Sequence, residues 1–180
     1  KLWQIGSNNR RSDGFNLSDH LRAYGMWDNV PANLTFTIGD SKESTDWYYA
    51  QTKNGTWTID FKTDKTYTGN LYLTASVAGA ANKPKVAVAL NGSNCATWST
   101  YTDSGIFRSA MLGGKHALYK LTIPASLLKV GDNKLTLTMS GIKSNGGVMW
   151  DCIKLEAGAK ITTGIEQMPS YNASSQVEIY

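Results

Sequence analysis

The 180-residue sequence is poor in the side chains on which most enzyme active sites depend. It has only two histidines, His20 and His116, and the second begins a strand-like run where we expect it to be solvated. No Ser-His-Asp order, HExxH motif or CxxC pair is present, so the common nucleophilic and metal-dependent constellations are missing. A glycosidase would need two opposed carboxylates across a cleft, and no such pair stands out. The sequence therefore predicts no catalytic residue.

Charged residues and long apolar runs are also scarce. Only 18% of the residues are charged, and no apolar run approaches the length that spans a bilayer. The formal net charge of +4 is scattered along the chain, whereas nucleic-acid binders concentrate it. We therefore expect neither a membrane nor a nucleic-acid partner, although the positive surplus mildly favours an acidic polymer. No signal peptide precedes the strand-like LWQIG, so we expect a fragment of a longer chain.

Cysteine is nearly absent as well. Cys95 follows an Asn-Gly turn, and Cys152 lies in the last strand-like run. Two cysteines permit one disulfide but do not demand it. Because spacing in sequence does not show whether the two Cα atoms approach each other, a bridge and two free thiols both stay open.

What the sequence does have is a series of short runs in which apolar residues occupy every second position. Alternation of this kind predicts half-buried antiparallel strands. The clearest runs are 34–38, 57–61, 71–77, 86–90, 117–123, 135–139 and 148–156. About eight or nine such runs, separated by Gly, Asn and Pro turns and without a long helix, are typical of two stacked sheets. We predict an all-β fold, an antiparallel β-sandwich of the jelly-roll type.

The chain length fits one such domain, to which we assign residues 1–158. Beyond Gly158 the sequence is polar and has no periodic pattern, until VEIY starts a new strand-like run at Val177. We interpret residues 159–180 as a linker and the start of a further C-terminal domain. This tail resembles the entry to the sorting domains of secreted Bacteroidetes proteins.

Several segments, taken in order, resemble one known family. They are LWQIG, LRAYGMW, FTIGDSKESTDWYYAQ, SGIFRSAMLGGKHALYKLTIPASLLKVGDNKLTLTMS and GVMWDCIKLE. From Leu2 to Glu156 the chain is similar to the third, C-terminal domain of the rhamnogalacturonan lyases of polysaccharide lyase family 4. The resemblance implies a jelly roll of the galactose-binding-domain-like type that serves as a carbohydrate-binding module. In that family the cleavage chemistry belongs to a separate N-terminal domain, which this sequence does not contain.

The resemblance implies a non-catalytic module that targets plant cell-wall polysaccharide, above all pectic rhamnogalacturonan, for a parent lyase. Its partners would be the polysaccharide and a covalently attached catalytic domain, and we expect a monomer that is secreted or displayed on a bacterial surface. The alternative is a structural inter-domain module with no glycan affinity of its own. No cofactor is required, but a structural calcium ion is an alternative to consider.

Candidate binding residues follow from the chemistry of sugars. A sugar ring needs a flat aromatic platform and a few polar partners. Trp98 and Tyr101 fall in a predicted loop, SNCATWSTYTDSG, where an aromatic either packs over the sandwich or meets a ligand. Trp47 begins a strand-like run and is more core than site. These three aromatics are the candidate platforms.

Polar candidates come from segments that the resemblance covers. The Arg108 guanidinium can fork onto a uronate carboxylate, or it can form a structural ion pair. Asn145, before the last strand, has the position of a ligand amide in related modules, or it is a turn residue. Related modules often hold calcium with an acid at the position of Asp151. For Asp151 we favour satisfaction by protein donors over a metal.

Overall fold

The computed structural model describes residues 1–19, 25–103, 115–142, 145–158 and 175–180. Within these ranges there are eleven strands, a short helix α1 (Glu43–Asp46) and two 3₁₀ turns at Met26–Asn29 and Ala125–Leu127. The strands are β1 (Trp3–Gly6), β2 (Leu34–Thr37), β3 (Ala50–Gln51), β4 (Gly55–Thr63), β5 (Asn70–Ala81), β6 (Lys85–Leu90), β7 (Ser93–Ser99), β8 (Ala117–Pro124), β9 (Gly131–Ser140), β10 (Gly147–Ala157) and β11 (Ser175–Ile179).

The strands form two sheets. The first sheet has the order β1-β10-β5-β8-β11, with β3 also paired to β10, and the second has the order β2-β4-β9-β6-β7. The chain changes sheet at almost every step from β4 to β10, which is the connectivity of a jelly roll. All described pairs are antiparallel except β2 with β4. The predicted all-β jelly-roll sandwich is confirmed.

Alternation along the strands places the core between the two sheets. On β5, Leu71 and Leu73 are fully buried, and on the facing sheet Leu135 and Leu137 of β9 are equally buried. The side chains between them in sequence point outward, so each strand has one apolar and one polar face. No helix in the described ranges has the length and hydropathy of a membrane span.

Strand β7 corrects one prediction. The residues after Asn91 were expected to form a loop, but Ser93–Ser99 pairs with β6 as a hairpin. Asn91 and Gly92 have φ values of 50° and 84°, the left-handed pair that a two-residue type I′ turn requires. The Asn-Gly dipeptide was therefore a hairpin signal, and it turns the following residues back along β6.

Strand β11 lies at the edge of the first sheet. Ser175–Ile179 pairs antiparallel with β8, and the backbone N–H of Tyr180 donates to the carbonyl of His116 at 2.8 Å. The strand predicted at VEIY thus forms, but in this structure it extends the sandwich itself. The assignment of 159–180 to a linker and a further domain stays a prediction.

The Asn133 amide ties the β8–β9 connection to the β6–β7 hairpin. The side chain is 1% exposed, and its Oδ1 accepts hydrogen bonds from the Lys129 N–H and from Asn91 Nδ2, both at 2.8 Å. Its Nδ2 donates to the carbonyls of Lys129 and Gly131 at 2.8 and 3.0 Å. One buried amide therefore forms hydrogen bonds with two separate chain segments.

We predict that Asn133→Ala lowers the free energy of unfolding by about 2–4 kcal/mol, since it removes the side-chain partner of Asn91 Nδ2 and of the part-buried Lys129 N–H and Gly131 carbonyl. Urea denaturation followed by tryptophan fluorescence measures this change. Asn94→Ala, at an exposed position of β7, is the control and should change stability by less than about 0.5 kcal/mol. Equal stability of the two variants would contradict the assigned role.

Candidate functional site

Five of the connections between the strands meet at one end of the sandwich. In the described pairings, the odd-numbered strands from β1 to β9 end there and the even-numbered strands from β2 to β10 begin there. We call this the loop end, and its described residues belong to the segments 7–33, 52–54, 82–84, 100–116 and 141–146. The opposite end carries the connections 38–49, 64–69, 91–92 and 125–130.

A tryptophan is held in place at the loop end by an asparagine. Trp27 Nε1–H donates to Asn145 Oδ1 at 3.0 Å, and Asn82 Nδ2 donates to the Asn145 carbonyl at 2.6 Å. Trp27 is half-buried and Asn145 is exposed. Three connections that are distant in sequence thus meet at the hydrogen-bonded pair of Trp27 and Asn145.

The 3₁₀ turn Met26–Asn29 sets the position of this indole. Gly25 enters the turn at φ 86°, and Met26 anchors it in the core with 4% exposure. The Trp27 carbonyl accepts a hydrogen bond from Thr52 Oγ1 at 2.7 Å. Because the backbone is held from the β3–β4 connection and the side chain from Asn145, the ring has a defined orientation.

A second aromatic, Tyr101, lies at the same end. Its hydroxyl donates to the Lys115 carbonyl, and the Lys115 N–H donates to Asp103 Oδ2 at 2.8 Å. The Asp103 N–H in turn donates to the Ala80 carbonyl at 2.7 Å. Burial, with the nearby Asp103 carboxylate, raises the pKa of the Tyr101 hydroxyl, which therefore stays neutral and acts only as a hydrogen-bonding group.

The predicted candidates separate into two groups. Asn145 and Tyr101 lie at the loop end as expected. Trp98 does not, since it is buried on β7 with 2% exposure, and Trp47, which was expected to be more core than site, is buried with 0% exposure. Arg108 lies outside the described residues.

The burial of the two tryptophans has a local cause in each case. Trp98 on β7 pairs with the buried Val86 on β6, so it faces the core, where its ring lies 5.2 Å from that of Tyr119. Trp47 packs edge-on against Trp57 with ring centroids 4.8 Å apart. Neither ring has a face open to a sugar in this structure. The expectation that Trp98 stands in a loop was wrong because the Asn-Gly turn starts a strand.

Trp27 and Asn82 are the residues that the candidate set missed. Trp27 sits in a segment with no periodicity, where an aromatic is most simply interpreted as packing onto the sandwich. The available signals were the adjacent Gly25 and the sequence KP after Asn82, which mark turns on both sides of the site. Neither signal alone points to a ligand.

Asp151 forms a buried polar network on the outer side of the first sheet. It is an extra residue in β10, since Trp150 pairs with Val77 and Cys152 pairs with Ser76. Its Oδ1 accepts from the backbone N–H groups of Asn9 and Arg11 at 3.2 and 3.3 Å, and its Oδ2 accepts from Ser76 Oγ at 2.6 Å.

The observed partners of Asp151 are all hydrogen-bond donors. Both carboxylate oxygens face N–H or O–H groups, and a structural calcium ion here stays a prediction. Among the described residues, no group of three or more His, Cys, Asp and Glu side chains is placed to hold a metal. The carboxylate is instead satisfied by the protein.

His116 joins the same network and was expected to be solvated, which is wrong. It is 8% exposed, its Nε2 lies 2.7 Å from Ser76 Oγ, and the Tyr180 ring covers it at 5.3 Å. Because Ser76 donates to Asp151, it accepts from Nε2–H of His116. Burial, and then the nearby Arg10 guanidinium, lower the His116 pKa, against an opposite effect of Asp151.

The two cysteines are free thiols. Cys95 lies on β7 of the second sheet and Cys152 on β10 of the first. Burial, with the neighbouring Asp151 carboxylate, raises the Cys152 pKa to about 11, so this thiol is protonated at neutral pH.

Comparison with known families assigns the chain to a class. A family model described as CBM-like, polysaccharide lyase family 4, domain III, matches residues 1–155. The chain belongs to this family of carbohydrate-binding-module-like domains. The domain that matches is domain III, which is not the catalytic part of these lyases.

One relative is a rhamnogalacturonate lyase of Dickeya dadantii (strain 3937). It is 40% identical over 160 residues, which cover 85% of this chain and 27% of the relative. The chain therefore spans about a quarter of that enzyme's length.

Two solved structures are similar to this chain at low identity. A family 35 carbohydrate-binding module from an environmental isolate is 14% identical, with a TM-score of 0.41, and covers 89% of this chain and 100% of that one. The family 35 module from Clostridium thermocellum is 16% identical, with a TM-score of 0.37, and covers 56% and 70%.

The His116 environment predicts how stability depends on pH. Because the folded-state pKa lies below the ordinary value of 6.5, the unfolded chain binds more protons near and below that pH. Stability should therefore decrease as the pH falls through 6.5 towards the folded-state pKa. Urea denaturation between pH 8 and 5 measures this slope.

In His116→Gln this contribution to the slope should disappear, whereas the slope from the carboxylates at lower pH should remain. The comparison is made between the pH slopes and not the absolute stabilities, since the substitution also changes packing. An unchanged slope between pH 7.5 and 5.5 in the variant would show that His116 titrates as it does in the unfolded chain.

Proposed function

We propose that this domain binds plant cell-wall polysaccharide, specifically pectic rhamnogalacturonan, and holds a lyase catalytic domain of the same parent chain near its substrate. Membership in the CBM-like domain III family and the similarity to a rhamnogalacturonate lyase support this assignment. The parent protein would be a rhamnogalacturonan endolyase that acts outside the cell. Unaided, the domain described here would not cleave pectin.

The observation that carries the proposal is the Trp27–Asn145 hydrogen bond at the loop end. An indole offers a flat apolar face to the C–H side of a sugar ring, and an amide beside it can reach a ring hydroxyl. Asn145 Oδ1 is already engaged by the indole at 3.0 Å, so its exposed Nδ2 can donate to a sugar oxygen. The ring and the amide are thus placed as a pair before a ligand arrives.

A prearranged pair lowers the entropic cost of binding. Two side chains that are fixed by hydrogen bonds lose less rotamer freedom on contact with a sugar than two mobile ones. The site is shallow, however, and its hydrogen bonds replace bonds to water, so single-site affinity is weak. Attachment to a catalytic domain compensates, because it raises the local concentration of enzyme on an insoluble polymer.

We predict that Trp27→Ala reduces retention on rhamnogalacturonan by at least about 10-fold, since it removes the stacking platform. Affinity electrophoresis or calorimetry against rhamnogalacturonan I, galactan, homogalacturonan and xylan measures the effect. Tyr67→Ala is the matched control, because Tyr67 is a half-buried aromatic in the β4–β5 turn at the opposite end. It should bind like the unmodified domain.

Two results would contradict the proposal in different ways. If the unmodified domain is retained on none of these glycans, the structural inter-domain role replaces it. If Trp27→Ala binds normally while Tyr67→Ala does not, the domain binds glycan but not at the loop end. Far-UV circular dichroism and thermal unfolding confirm that both variants are folded.

A further inference from the structure

A row of polar side chains crosses the outer face of the first sheet. Lys154 on β10 pairs with Thr74 on β5, and Thr74 pairs with Lys120 on β8. Gln4 on β1 pairs with Lys154 and extends the row by one strand. Because paired residues in a sheet project to the same side, these side chains share one surface.

The row forms one wall of a cavity of about 230 Å³. The next row, Cys152, Ser76 and Leu118, forms its floor, and Asn8 from the loop after β1 also lines it. The lining residues within the described part of the chain contribute two ammonium groups and no carboxylate. Apart from Asn8, the described lining residues lie on the face of the sheet and not in the loop-end connections.

Both lysines are oriented by acids that lie outside the cavity lining. Lys120 Nζ lies 2.8 Å from Glu178 Oε1 on β11, and Lys154 Nζ lies 3.3 Å from Glu156 Oε1. The side chains of Lys120 and Lys154 are 42% and 36% exposed to solvent. An ammonium has three N–H donors, so one salt bridge leaves donors for a second acceptor.

We propose that this cavity binds the carboxylate-bearing residue of an acidic glycan, a uronate, between Lys120 and Lys154. Adjacent strands are about 4.8 Å apart, so the two lysine Cα atoms are about 10 Å apart across Thr74, enough for one sugar ring. The carboxylate would pair with the ammonium groups, and the Thr74 hydroxyl lies between them for a ring hydroxyl. The inference rests on the proposed glycan-binding function and adds an acid-specific subsite to it.

The charged groups among the described lining residues are the ammonium groups of Lys120 and Lys154, which favour an acidic ligand over a neutral one although Glu178 and Glu156 already pair with them. Lys1 Nζ donates to Gln4 Oε1 at 2.8 Å and adds a third positive charge beside the row. A neutral sugar would gain only hydrogen bonds that compete with water, whereas a carboxylate gains charge-assisted bonds. Because the lysines are partly exposed, this attraction weakens as salt increases.

The test is calorimetric titration with trigalacturonate and, as a neutral counterpart, galactotriose, at low and high salt. The double variant Lys120→Met/Lys154→Met should lose trigalacturonate affinity by about 10-fold or more, and galactotriose binding should not change. Lys85→Met, at an exposed lysine of the second sheet, is the matched control and should keep both affinities. Equal losses in the control and the double variant would show a general charge effect and overturn the proposal.

A gain-of-affinity variant makes the test independent of folding losses. Glu178→Gln releases Lys120 from its acid and should raise trigalacturonate affinity by roughly 2- to 5-fold. Competition by sulfate at the concentration of the trigalacturonate would show a simple anion site and contradict the proposal. Trp27→Ala should leave trigalacturonate binding at this cavity intact, so failure here is distinguishable from failure of the loop-end site.

Discussion

The buried carboxylate of Asp151 is the constraint on which both proposed binding surfaces depend. An extra residue in β10 turns this acid to the outer face, where it would be unstable without donors. Two backbone N–H groups of the segment after β1 and the Ser76 hydroxyl provide them. At Gly6, with φ 80°, a Cβ atom would lie 2.2 Å from the Asp151 carbonyl oxygen, so the chain can leave β1 here only as glycine. The acid and the glycine together fix the first turn of the long β1–β2 connection.

That fixed connection serves both surfaces. Near its start, Asn8 lines the cavity over the Lys154–Thr74–Lys120 row, and near its end Trp27 reaches the loop end. The strand register of the first sheet places the lysine row, because pairing across β10, β5 and β8 determines which side chains share the outer face. One polymer chain could therefore contact the domain at the strand tips through stacking and on the sheet face through charge. A lyase domain tethered to such a surface would remain close to its substrate.

Much of this architecture could be predicted from alternation alone. The alternation in residues 57–61 predicted a half-buried strand, and Trp57, Ile59 and Phe61 are indeed buried on one face of β4. The prediction failed where local turn chemistry decided the outcome: Asn91 and Gly92 form a tight hairpin, which moved Trp98 from an expected loop into the core. The site itself was harder, since Trp27, Asn82 and Asn145 meet only after three connections fold together. Contacts between irregular segments leave no spacing pattern in the sequence. For the same reason the hydrogen-bond partners of Asp151 and His116 could not be predicted.

The central claim, that glycan contacts the loop end through Trp27 and Asn145, is tested most directly by NMR. The ¹⁵N-labelled domain is titrated with a rhamnogalacturonan oligosaccharide, and indole and side-chain amide resonances are followed. The account predicts saturable shifts of the Trp27 Nε1–H and Asn145 Nδ2 signals, while the buried Trp57 indole is unaffected. Shifts confined to the opposite end, or no shifts at saturating oligosaccharide, would contradict it.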